Sequence, residues 1–158
     1  MYTELNHVND KMAVSVKLDV DCENGGFVKI SGLADCKVGN FDLGGEALKG
    51  VALTDGFGDV YCLIASDYHR YDERVLSGDI PKHKKGELVR GYLLEKGNRV
   101  TIEKALVDGE VAVGDVLVPT ATGATTLAKA EGTEKNAIAQ VIEVRKYMKK
   151  DCYKIMFI

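Results

Sequence analysis

His69 stands between Tyr68 and Arg70, with Asp67, Asp72 and Glu73 a few positions away. An imidazole among carboxylates is the minimum equipment of a general base, and a small hydrolase using His69 and a carboxylate is one reading of the cluster. Such a base needs a nucleophile or an oriented partner beside it, and the sequence pairs His69 with neither. Tyr and Arg are instead the residue types enriched at protein interfaces, where they give large contact area and forked hydrogen bonding. Tyr68, His69, Arg70 and Tyr71 are therefore candidates for protein contact. Lys82, Lys84 and Lys85 form a short basic run further on. That run is most simply a solvated surface, and its functional alternative is a match for an acidic patch on a partner.

Other chemistry lacks its parts. Gly56-Phe57-Gly58 ahead of Val60 echoes the glycine loop of kinases, but no Val-Ala-Ile-Lys strand, His-Arg-Asp loop or Asp-Phe-Gly follows, so it reads as a turn. Asp19, Asp21 and Glu23 alternate as calcium ligands do. The twelve-residue loop with its central glycine and terminal glutamate is missing, and a period of two equally describes the wet face of a strand. Cys22, Cys36, Cys62 and Cys152 contain no C-x-x-C pair, which predicts reduced, mostly buried thiols and no metal site. The net charge of −3 comes from 21 basic and 24 acidic residues mixed along the chain, leaving no basic field for nucleic acid. Val60–Ala65, the longest apolar run, is too short to span a bilayer. Met1–Asn6 lacks the basic and apolar regions of a secretory signal, which predicts a soluble protein that is not exported. No catalytic residue, cofactor or metal is expected.

The elements that must position these residues are strands. Val14, Val16, Leu18, Val20 and Cys22 alternate with Ser15, Lys17, Asp19 and Asp21, which predicts a strand with one dry face. Asn24-Gly25-Gly26 is a turn signal, and Phe27–Ser31 resumes as a strand, predicting a hairpin. Gly39-Asn40, Gly44-Gly45 and Gly50 break the chain before Val51–Thr54, and Val60–Ala65 follows Asp55–Gly58. Glu87–Leu94 and Arg99–Glu103 flank a turn at Glu95–Asn98. Ala137–Val144 is apolar on both faces, as befits a central strand, and pairs with Cys152–Ile158 across the charged turn Arg145–Asp151. With 17 glycines and two prolines punctuating these runs, the chain reads as all-β, a small barrel or sandwich of short antiparallel strands. Its length suits one domain, residues 12–158, with a polar excursion over 66–86 that holds one or two helical turns at most. Met1–Lys11 shows no periodicity and reads as a flexible N-terminal arm. The expected core is Val14, Val16, Leu18, Val20, Val51, Leu53, Ile64, Val89, Leu93, Val116, Ile138, Ile142, Ile155 and Phe157.

The last third carries a resemblance. Ala112-Val-Gly-Asp-Val-Leu117, the turn Thr122-Gly123, Leu127-Ala-Lys-Ala130, a polar gap, Ala137-Ile-Ala-Gln-Val-Ile142 and a closing strand together resemble the C-terminal module of head decoration proteins of tailed bacteriophages, the lambda-type decoration proteins among them. The arm resembles the N-terminal arm that such proteins order on the capsid. The resemblance covers about a third of the chain, and the long first half and the 66–86 excursion depart from it. It implies a non-enzymatic virion protein, made in the host cytoplasm, that binds the major capsid protein on the capsid exterior and stabilises the head as a homo-oligomer, a trimer being favoured. A rival resemblance is to biotinyl or lipoyl carrier domains, which also place Gly-Asp-Val-Leu before a strand. There Lys129 would be the acylated residue, although Thr125-Thr-Leu127 leads into it as a strand rather than a hairpin tip.

Overall fold

The computed structural model describes residues 4–6, 12–53, 60–65, 82–120, 125–132, 137–147 and 149–158. Among them the chain is all-β. Its strands are β1 (Glu4–Asn6), β2 (Ala13–Leu18), β3 (Cys22–Glu23), β4 (Phe27–Ala34), β5 (Lys37–Val38), β6 (Phe41–Asp42), β7 (Ala47–Val51), β8 (Tyr61–Ile64), β9 (Lys82–His83), β10 (Leu88–Leu93), β11 (Arg99–Glu103), β12 (Val107–Asp108), β13 (Val116–Pro119), β14 (Leu127–Lys129), β15 (Ala139–Tyr147) and β16 (Lys150–Phe157). A 3-10 turn, Lys104–Leu106, links β11 to β12.

Five strands close a barrel in the order β10-β2-β7-β4-β8, and seven form a sheet in the order β1-β11-β16-β15-β13-β14-β12. Closure removes the free edges of the barrel. Its interior is filled by Val16, Leu18, Val28, Cys62, Ile64 and Val89, with Cys22 packed among them. The period of two then does double duty. Phe27 and Leu63, neighbours of Val28, Cys62 and Ile64, point out of the barrel and join Val100, Ile102, Leu117, Val141 and Ile155 in a second cluster between barrel and sheet. Phe27 and Phe157 meet there at 5.7 Å between ring centroids, tilted by 57°, a favourable aromatic geometry.

Several expectations are corrected. The hairpin expected across Asn24–Gly26 does not form: β2 pairs with β10 and runs parallel to β7, while β4 pairs with β7 and β8. The alternating run stops as a strand at Leu18 and restarts as β3, which pairs with β9 instead. Gly50, read as a breaker, lies inside β7. A Cβ there would stand 2.6 Å from Val16 Cγ1 and 3.0 Å from Val28 Cγ2, so the narrow barrel closes only over a residue without a side chain. The pairing of β15 with β16 shifts register between Val141 and Glu143. Ile142 is the extra residue of this bulge, so alternation breaks, Ile142 is only half-buried and Val144 is exposed. Val14, Val20, Val51, Leu93 and Val116 are likewise half-buried rather than core.

The C-terminal hairpin forms as expected, with Tyr147 opposite Lys150 closing it more tightly than the Arg145–Asp151 turn anticipated. Of the arm over 1–11, Glu4–Asn6 pairs antiparallel with Arg99–Thr101 at the edge of the large sheet, and the rest lies outside the described residues.

Candidate protein-contact surface

β5 and β6 form a small hairpin on the flank of the barrel, with Val38 opposite Phe41 across Gly39-Asn40. Gly39 has φ +60° at the first turn position, where a two-residue hairpin of the primed type needs a residue without a Cβ. Leu43 N–H donates to Cys36 O at 2.9 Å and Gly44 N–H to Asp42 Oδ1 at 3.0 Å, fixing the hairpin's base. The Lys17 ammonium pairs with Asp35 and ties that base to β2. This pairing holds the Asp35 carboxyl below its ordinary value.

The hairpin's side chains run against the usual rule. Phe41 is 75% exposed, Leu43 62% and Val38 46%, and Leu33 joins them at 75%. Leu33 owes its position to a bulge in β4. Register against β7 shifts between Ile30 and Leu33, with Gly32 at φ +136°, and the side chain that follows turns outward. Single exposed apolar residues are ordinary, but Val38, Phe41 and Leu43 together on one small hairpin make an apolar surface of the kind that marks a binding site. Covering a side chain such as Phe41 releases about 1.5–3 kcal/mol.

Beside the hairpin lies a groove of about 540 Å³. Its floor is the β2–β10 pair at Ala13, Val14, Ser15, Leu88, Val89 and Arg90, and its wall is Cys36, Leu43 and Gly44. Sequence reading passed over this hairpin because its apolar residues have no period. The available signal was three large apolar residues, Val38, Phe41 and Leu43, inside a glycine-rich break.

Tyr68, His69, Arg70 and Tyr71 lie outside the described residues. Lys82 and Lys85 do not project alone. Lys82 Nζ lies 3.3 Å from Glu23 Oε1, and Lys85 Nζ lies 2.9 Å from Asp19 Oδ1. Lys85 N–H also donates to Asp21 Oδ1 at 2.8 Å. The acidic row and the basic run thus clasp each other, and Lys85, with Lys49 in support, holds the Asp19 carboxyl below its ordinary value. Lys84 is exposed. Beneath the clasp, His83 is buried with Nδ1 3.3 Å from Glu87 Oε2 and Nε2 3.4 Å from Asn24 Oδ1, joining β9 to the Asn24-Gly25 turn.

Three further reactive side chains, Cys22, Cys62 and Lys129, are held within the strands and their ion pairs. Burial pushes the Cys22 and Cys62 thiols up to about 12, which makes them poor nucleophiles. Lys129 lies in β14 and pairs with Asp115 at 2.8 Å. Among the described residues no group of three or more His, Cys, Asp or Glu side chains is arranged to hold a metal ion. No helix among them is long and apolar enough to cross a membrane. No protein-family model matches this chain, and neither a curated protein nor a solved structure is similar to it.

Proposed function

We propose that the chain acts by protein contact, as a head decoration protein that binds the outside of a tailed-phage capsid and stabilises the shell. The observation that carries this reading is the projecting apolar hairpin of Val38, Phe41 and Leu43 with Leu33 beside it. Such a surface is costly to leave in water and is explained by a partner that covers it. The strand pattern of residues 112–142, which resembles the C-terminal module of decoration proteins, directs the setting to a capsid shell, where the major capsid protein and neighbouring copies of the chain are the partners at hand. Decoration asks for modest contacts repeated at every symmetry-related position of a shell, and a small β body with a projecting apolar hairpin suits that task.

The test is co-sedimentation of the purified chain with undecorated heads of the tailed phage that encodes it. The chain is expected to travel with the heads, and Phe41→Asp to reduce the bound fraction while leaving the β-type circular dichroism intact. A chain that stays at the top of the gradient at every concentration overturns the reading.

A further inference from the structure

The proposed function makes the β5–β6 hairpin a contact surface of the decorated shell, covered by the shell or by a neighbouring copy. Resting on that treatment, we infer that its occupant is a second copy of this chain, the hairpin tip of each copy seated in the β2–β10 groove of the other.

Three observations carry this. The first is fit: the molecule presents both an apolar knob, Val38 and Phe41, and a groove of about 540 Å³, a volume that admits such side chains. A foreign partner would have to supply its own hole and would leave this groove unfilled. The second is placement. Leu43 follows β6 directly and also forms the groove wall, so knob and hole lie side by side on one face. A two-fold axis beside them fills both holes at once and closes the assembly, as an isologous interface requires. The third is charge. Asp42 stands next to Phe41 on the knob and Arg90 lies in the groove floor. The same two-fold brings each Asp42 to the partner's groove, where Arg90 lies. One Asp42 oxygen already accepts Gly44 N–H at 3.0 Å. A carboxylate has a second oxygen to offer, and a guanidinium has five donors, enough to serve the partner and its own chain together.

The native cysteines make the seat testable. Cys36 lines the groove and is half-buried, whereas Cys22, Cys62 and Cys152 are buried. The variant Phe41→Cys, oxidised with oxidised glutathione, is expected to give a covalent dimer whose linked peptides join position 41 of one copy to Cys36 of the other. In parallel, sedimentation velocity of the unmodified chain should show concentration-dependent dimerisation, weakened about tenfold or more by Phe41→Asp, as truncating a central aromatic anchor does. Linkage of position 41 only to position 41, or a monomer at all concentrations, overturns the inference. A monomer that still binds heads through Phe41 overturns it while sparing the proposed function. A dimer formed as inferred that does not bind heads does the reverse.

Discussion

Glu103 shows how burial and pairing compete at a single residue. The side chain is buried in β11 opposite Cys152, and the Lys150 ammonium lies 3.6 Å from its Oε2. Burial raises the carboxyl above its ordinary value, and the ammonium only partly offsets this. A folded-state value above the unfolded one means that ionisation favours unfolding. Stability from this group is complete at pH below the unfolded value of 4.5 and is lost as pH rises through the folded value. Glu103→Gln removes the ionisation and keeps the shape. Its melting temperature should match the parent's near pH 4 and exceed it at pH 7 by ~2–4 °C, equivalent to about 1 kcal/mol for a chain of this size. A gain that is the same at both pH values would show that charge is not the cause. The clasp of Asp19 with Lys85 and of Glu23 with Lys82 is a different case, because these pairs are exposed and add little stability. They fasten residues 82–85, ahead of β10, to β3 and the turn after β2.

At the scale of elements, the barrel depends on two positions where a side chain does not fit. Gly50 in β7 and Gly91 in β10 both face Val16, and a Cβ at 91 would stand 2.4 Å from Cys62 Sγ and 3.0 Å from Val16 Cγ2. Gly91→Ala is expected to destabilise the fold by about 1–3 kcal/mol, as overpacking does. Pairing it with Cys62→Ala should recover part of the loss, since the nearest clashing atom is gone. Strict additivity of the two changes in denaturant unfolding would count against the contact. This feature was not legible in the sequence, where a glycine in a strand looks like a glycine in a turn. What distinguishes them is a neighbour far along the chain. The strands themselves were legible wherever period two or a doubly apolar run persisted, as in β2, β10 and the β15–β16 hairpin. Pairing was not. The ladder of β2 with β7 is parallel and long-range, and the bulges in β4 and β15 each insert one residue that reverses every later face. The contact surface was least legible of all, because one such bulge sets Leu33 outward and the short hairpin beside it has no period to read.

Among the described residues the barrel and the large sheet share one core, and this governs how the molecule should come apart. The barrel interior is a separate cluster, but Phe27, Leu53, Leu63 and Ala65 from the barrel side bury themselves against Val100, Ile102, Leu117, Val141 and Ile155 of the large sheet. Neither layer can leave without exposing the other's apolar face, and at ~25 cal/mol per Å² that exposure is strongly unfavourable. The two should therefore unfold as one cooperative unit. The cysteines report on this directly. Cys62 lies inside the barrel and Cys152 in β16 of the sheet, both buried, while Cys36 is half-buried on the hairpin side. In pulsed thiol labelling across a urea series, Cys36 should react in the native state, and Cys62 and Cys152 should become reactive together at the global midpoint. Phe27→Ala, which empties the contact with Phe157, should lower the unfolding free energy by the ~3–5 kcal/mol usual for a buried phenylalanine, move that shared midpoint to lower urea and keep the two thiols in step. If Cys152 became reactive at lower urea than Cys62 in the unmodified chain, the sheet would be a separately unfolding layer and the shared core would not be what joins the molecule.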